Sequence, residues 1–266
     1  MMNRIDNLFQ TKGKNILSVY FTAGFPQLND TAEILKQLQD SGADMVEVGI
    51  PFSDPMADGI VIQQSSHTAL QNGMNLDILF DQLYQIKEAI QIPIILMGYF
   101  NPVFKYGVER FCRKCVSTGV SGLIIPDLPL EVYLDEYADL FNHHGLYYIP
   151  LVTPQTPDQR IVKLGMVSKG FVYMVSTASI TGSKPNLENS SPYFKRVRQL
   201  LPDTPLMIGF GIQDATSFSV ACRYSNGGII GTAFIKALQN TSGSTDKSHG
   251  LKENVNGFVE RIRNKK

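Results

Sequence analysis

The chain has 266 residues, with 24 Lys plus Arg against 24 Asp plus Glu, and is 43% hydrophobic and 18% charged. That length is near the ~250 residues of one (β/α)8 barrel, and the apolar share excludes a disordered chain and allows a substantial core. The charge balance excludes electrostatic recruitment to nucleic acid or an anionic membrane, so an anionic small substrate must be held by local groups.

No apolar run approaches the ~20 residues that cross a bilayer. The start, Met1-Met2-Asn3-Arg4-Ile5-Asp6, lacks a signal-peptide pattern, so the expected location is the cytoplasm. A short helix around residues 5–9 is expected to cover one end of a barrel. Residues 17–22 form the first strand, and Ile34, Leu35 and Leu38 mark one helical face after it. The second strand, 45–48, is followed by a long loop and a helix whose face is Leu76, Leu79, Phe80, Leu83, Ile86 and Ile90, with Asn75 as its N-cap. The third strand is 93–97. Val108, Phe111, Cys112 and Cys115 come next at helical spacing, so the C-x-x-C reads as buried thiols on an apolar face and not as a redox or metal motif. His67, His143, His144 and His249 form no ligand pattern, and no metal site is expected.

Strands at 122–125, 147–152, 171–175, 206–209 and 228–230 complete a set of eight. Between them lie helical faces at Tyr133, Tyr137, Leu140 and Phe141, and at Phe194, Val197 and Leu201. The Ser/Thr/Gly-rich stretch 239–254 reads as a loop, before a closing helix marked by Val255, Phe258, Val259 and Ile262. Short strands apolar on both faces and separated by helices indicate parallel β/α units. The count of eight favours a single α/β TIM barrel over residues 1–266, with an extra N-terminal helix and long βα loops 2 and 6.

In such barrels the chemistry lies in the loops after the strands. Glu47 sits in the apolar strand Met45-Val46-Glu47-Val48, where burying a charge is costly. It reads either as a layer residue paired with a cation or, preferably, as a general acid/base whose pKa is raised by desolvation. Asp58 stands eleven residues on in a Pro/Gly-rich loop and is expected to share the mouth. Gly209-Phe210-Gly211 after the seventh strand and Gly231-Thr232-Ala233 after the eighth lie where this fold usually holds phosphate through backbone N–H groups. Gly182 in the sixth loop is a further candidate donor.

The run Glu47 to Gly59, E-V-G-I-P-F-S-D-P-M-A-D-G, closely resembles the most distinctive signature of tryptophan synthase alpha subunits. Tyr20-Phe21-Thr22-Ala23-Gly24, Tyr99-Phe100-Asn101-Pro102, Ile125-Pro126-Asp127-Leu128-Pro129 and Gly209-Phe210-Gly211-Ile212 extend the likeness over residues 17–240. The resemblance implies a lyase that cleaves indole-3-glycerol phosphate to indole and glyceraldehyde-3-phosphate. It makes Glu47 and Asp58 catalytic, the first moving protons at indole C3 and the side-chain hydroxyl, the second accepting the indole N–H. It implies substrate contacts from Tyr20, Tyr173, Thr181, Gly182, Phe210, Gly211, Gly231 and Thr232. It implies no cofactor in this subunit, and a heterotetramer with a beta subunit that carries pyridoxal phosphate and turns the indole and L-serine into L-tryptophan. Ile60, Ser179 and Thr232 depart from the residues common in that family, which bears on the loops and removes no catalytic group. Another phosphate-anchored barrel is the competing enzyme reading, disfavoured because no lysine is read in the mouth. An idle barrel kept as a binding partner is the other, disfavoured by two mouth carboxylates.

Overall fold

Strands apolar on both faces must be covered inside and out. In the computed structural model, which describes residues 2–176, 187–239 and 247–263, a ring of parallel strands inside a shell of helices meets that demand. The strands are β1 (Ile16–Thr22), β2 (Met45–Gly49), β3 (Ile94–Met97), β4 (Val120–Ile124), β5 (Tyr147–Tyr148), β6 (Leu151–Val152), β7 (Val172–Val175), β8 (Leu206–Gly209) and β9 (Gly227–Ile230). Their order is β5-β4-β3-β2-β1-β9-β8-β7-β6, with every pairing parallel.

The expected fifth strand, 147–152, is interrupted. Pro150 has no N–H to give a ladder, so the run divides into β5 against β4 and β6 against β7. The interruption still joins both neighbours, because Ile149 N donates to Leu123 O at 3.0 Å and Tyr173 N to Pro150 O at 3.0 Å. Nine strands therefore make eight staves, and the barrel closes through this one.

Period-two alternation sorts the side chains into two cores. Leu17, Val19 and Phe21 on β1, with Val46 and Val48 on β2, pack outward against the helices. Ile16, Met45, Ile95, Ile124, Phe171 and Met207 fill the interior. The helix Arg4–Thr11 plugs one end with Ile5, which is fully buried among them. Asn3 caps this helix by accepting Ile5 N at 2.9 Å, and its amide donates to Ser121 O at 2.9 Å. With the bottom closed by apolar groups, the open end is at the strands' C-termini.

Asn75 caps the helix Leu76–Ile86 as expected, accepting Ile78 N at 3.0 Å. Cys112 and Cys115 are buried on the helix Val108–Ser117, and burial pushes the Cys112 thiol up to about 12, which leaves it unreactive. The face at Tyr133, Tyr137, Leu140 and Phe141 holds, but a π-helical turn, Tyr133–Tyr137, precedes the helix Ala138–His143. The stretch 239–254 is a correction. Gln239 ends the helix Thr232–Gln239, and residues 247–254 already belong to the helix Lys247–Arg263. The apolar stripe begins at Leu251, four residues before Val255, and its burial overrides the weak helix propensity of Ser and Gly. Among the described residues no helix is long and apolar enough to cross a membrane.

Candidate active site

Alternation on β2 turns Glu47 inward, where it is 0% exposed. Ser18 Oγ, on the neighbouring β1, donates to Glu47 Oε1 at 3.1 Å, and Oε2 has no partner among the described residues. Burial raises the Glu47 carboxyl to about 8, with the Ser18 hydroxyl pulling the other way. Among the described residues no cation pairs with Glu47 and its one hydrogen-bond partner is a hydroxyl, which does not support the alternative of a layer residue neutralised by a cation.

Asp58 reaches the same space from the loop between β2 and the helix Ile60–Gln71. Met56 N donates to Asp54 O at 2.9 Å and Asp58 N to Pro55 O at 3.1 Å, which folds the loop on itself. Tyr99, just beyond β3, holds it from outside. Its hydroxyl accepts Ala57 N at 3.0 Å and donates to Asp58 Oδ2 at 3.4 Å, and its ring lies 5.0 Å from that of Phe52. Burial raises Asp58 to about 6, against the lowering pull of Tyr99. Ile60, where the family commonly has proline, is the first residue of the following helix and is exposed; proline would fit that position, and isoleucine leaves the helix intact.

Glu47 and Asp58 line one cavity of about 420 Å³ with Tyr20, Tyr173, Phe210 and Gly211. Two glycines make room for the tyrosines. A Cβ on Gly49 would lie 2.1 Å from Tyr20 Oη, and one on Gly209 would lie 1.9 Å from Tyr173 Oη, so neither position admits a side chain without moving a ring. Burial raises both phenols, so each is neutral beside the carboxylates. The Tyr173 and Phe210 rings meet edge to face at 6.2 Å, giving the cavity an aromatic wall.

The loops after β8 and β9 complete the lining with Phe210, Gly211, Gly231 and Thr232. Phe210 and Gly211 both have positive φ, 66° and 75°, a cost for Phe210 that persists only where its surroundings fix it. Ser176 Oγ does so, donating to Phe210 O at 2.8 Å. Gly231 and Thr232 open the helix Thr232–Gln239, whose N-terminus borders the cavity. Thr181 and Gly182, with the rest of loop 6, lie outside the described residues, so the expected donors there have no position to report.

Three lining or supporting groups were not read from the sequence. Ser18 and Tyr99 act across strands and loops, at separations that no local pattern carries. Lys236 lines the cavity one helical turn beyond Thr232, so the mouth does hold a lysine, contrary to expectation, and the four-residue spacing was the available signal. Around the rim, Met56 is 90% exposed and Phe104 61%, while Pro51 and Leu128 are buried.

Residues 7–264 match the family model described as Tryptophan synthase alpha chain. The chain is 52% identical to the tryptophan synthase alpha chain of Flavobacterium psychrophilum over 238 residues, 89% of this chain and 94% of that one. It is 50% identical to that of Christiangramia forsetii over 263 residues, 98% and 99% of the two chains. Among solved structures, the alpha chain from Legionella pneumophila superposes with a TM-score of 0.86 at 32% identity, covering 99% of this chain and 98% of that one. Tryptophan synthase from M. tuberculosis, in an open form with BRD0059 bound, gives 0.84 at 27% identity, covering 99% and 100%.

Proposed function

The chain belongs to the tryptophan synthase alpha chain family, and on that premise we propose that it works as one barrel that cleaves indole-3-glycerol phosphate to indole and D-glyceraldehyde-3-phosphate. The observation that carries the reading is that two carboxyls raised to different extents share one aromatic-walled cavity with the glycines of the loops after β8 and β9. Cleaving the bond between indole C3 and the side-chain carbinol needs a proton at C3, a base for the carbinol hydroxyl and an anion near the ring nitrogen. At neutral pH Glu47 is protonated and Asp58 ionised, which is the required pair.

Glu47 donates its proton to C3, and the positive charge that develops on the ring is met at the indole N–H by Asp58. The Glu47 carboxylate then takes the carbinol hydroxyl proton. The C3–carbinol bond breaks with its electron pair returning to the ring, and the carbinol becomes the aldehyde of glyceraldehyde-3-phosphate. Glu47 ends the cycle protonated, so no proton is owed. Tyr20, Tyr173 and Phe210 pack around the indole, Gly211, Gly231 and Thr232, with Gly182 of loop 6, hold the phosphate, and Thr181 is the threonine of that closing loop. Lys236 adds a positive charge beside it.

Activity then requires an ionised Asp58 and a protonated Glu47. The kcat of indole release, followed spectroscopically, is expected to be bell-shaped, falling below about pH 6 and above about pH 8. Asp58→Asn is expected to remove the acid limb and lower kcat by roughly 100-fold. An unchanged acid limb in that variant would move the role to another group.

The partner is the beta chain of tryptophan synthase in an α2β2 assembly. That chain's pyridoxal phosphate serves the condensation of indole with L-serine, and this chain works without a cofactor in the cytoplasm. Exposed Met56 and Phe104 on the rim give an apolar contact where indole leaves the barrel. Titration with the beta chain is expected to accelerate cleavage several-fold by completing loop closure, and Phe104→Ala to weaken that response. Failure to associate in ultracentrifugation at micromolar concentration, with no rate change on mixing, would remove the partner.

A further inference from the structure

Ser18 stands where the barrel's interior is otherwise apolar. It is 0% exposed, and in register it lies beside Met45 on β2 and Ile229 on β9. A hydroxyl buried there needs a partner, and the one it has is Glu47 Oε1 at 3.1 Å. Glu47 for its part is held by that single bond, with Oε2 buried and unpartnered among the described residues. We propose that Ser18 is a positioning residue for Glu47, its hydroxyl pinning one carboxyl oxygen in both protonation states so that the other is the oxygen that exchanges protons with substrate. This rests on the reading of Glu47 as the acid/base.

The chemistry of the hydroxyl is what makes the arrangement work. In one turnover Glu47 is an acid and then a base, and its side chain must keep its place through both. A Ser hydroxyl donates to Oε1 in both states, to a carboxylate oxygen or to the carbonyl oxygen of an acid protonated on Oε2. A lysine or arginine would also donate, but its charge would hold the carboxylate ionised at neutral pH, removing the acid. A fully apolar neighbour would leave the ionised state with both oxygens unmet, which is costly in a buried site. The other titratable groups facing Glu47 across the cavity are Tyr20 on β1, Tyr173 on β7, Asp58 of the second loop and Lys236 on the helix Thr232–Gln239. Both phenols stay protonated, and neither is hydrogen-bonded to Glu47, which leaves Ser18 as its one direct handle among the described residues.

The test uses the whole chain with 13C-labelled glutamate, with Glu47 assigned by difference against Glu47→Gln in isotope-edited infrared spectra. In Ser18→Ala the Glu47 titration midpoint is expected to rise by about one pH unit, equal to ~1.4 kcal/mol. The alkaline limb of kcat should follow it, kcat should fall about tenfold, and KM should stay within about twofold. Ser18→Thr keeps the hydroxyl and should return both midpoint and kcat to near the wild-type values. A Ser18→Ala midpoint and kcat like the wild type overturn the proposal. So does a loss of kcat with an unmoved midpoint and no recovery in Ser18→Thr, since that is packing alone. If the midpoint moves but Glu47→Gln still releases indole, the acid/base reading of Glu47 fails and the positioning role fails with it, while the hydrogen bond stands.

Discussion

Glu47→Gln is expected to lower kcat for indole release by about 10²–10⁴-fold, and to abolish a pH penalty on stability that the wild-type chain carries. The activity loss follows from the proton cycle, in which one carboxyl gives a proton to carbon and takes one from oxygen. The amide matches its shape and does neither. The stability effect has a definite sign. Burial raises the Glu47 carboxyl to about 8 in the folded protein, from the 4.5 of an exposed glutamate. Between those values the folded state keeps a proton that the unfolded chain has released, so folding stability falls as pH rises through that window. The loss amounts to on the order of 3 kcal/mol by pH 7, and glutamine, which does not titrate, does not incur it. Urea midpoints at pH 5 and pH 7 should therefore converge more closely in Glu47→Gln than in the wild type. Equal pH slopes in the two proteins would mean that the buried carboxyl is not held protonated.

Glu47 could be found in the sequence because a carboxylate inside Met45-Val46-Glu47-Val48 breaks the pattern that makes the strand legible. The strand itself could be found because Val46 and Val48 must face helices while Met45 faces the interior. Asp58 was legible only through its spacing from Glu47 in a Pro/Gly-rich loop. The groups that adjust these two carboxyls were not. Ser18 is 29 residues from Glu47 and Tyr99 is 41 from Asp58, and each is an ordinary residue until the barrel brings neighbouring strands together. Pro150 carried the sign of an interrupted stave, since a proline cannot donate within a ladder, yet the flanking Tyr147–Tyr148 and Leu151–Val152 read as one strand. The closing helix was read short because Ser and Gly outweighed Leu251, whose burial against the rest of the stripe is a tertiary fact.

Gly211→Val is expected to raise KM for indole-3-glycerol phosphate by roughly 100-fold, with kcat at saturation changed by less than about threefold. Gly211 sits at φ 75°, where a β-branched residue is strained by about 1–3 kcal/mol. Relief of that strain turns the backbone at Gly211, which lines the cavity with Gly231 and Thr232, and with it the N–H proposed to hold the phosphate. A hydrogen bond to a charged group contributes about 1.5–3 kcal/mol, so losing one or two costs about two powers of ten in affinity. Glu47 and Asp58 come from β2 and the loop after it, apart from Gly211 beyond β8, and should act normally once substrate is bound, which is why the effect belongs in KM. Inorganic phosphate supplies the control: it should compete with substrate in the wild type and far less well in Gly211→Val, while affinity for indole itself should hardly change. The opposite split, with KM unchanged and kcat reduced, would give Gly211 a different task. It would then be setting the strained Phe210 against Tyr173, and the phosphate would have to be held by Thr232, Gly231 and Lys236 without it.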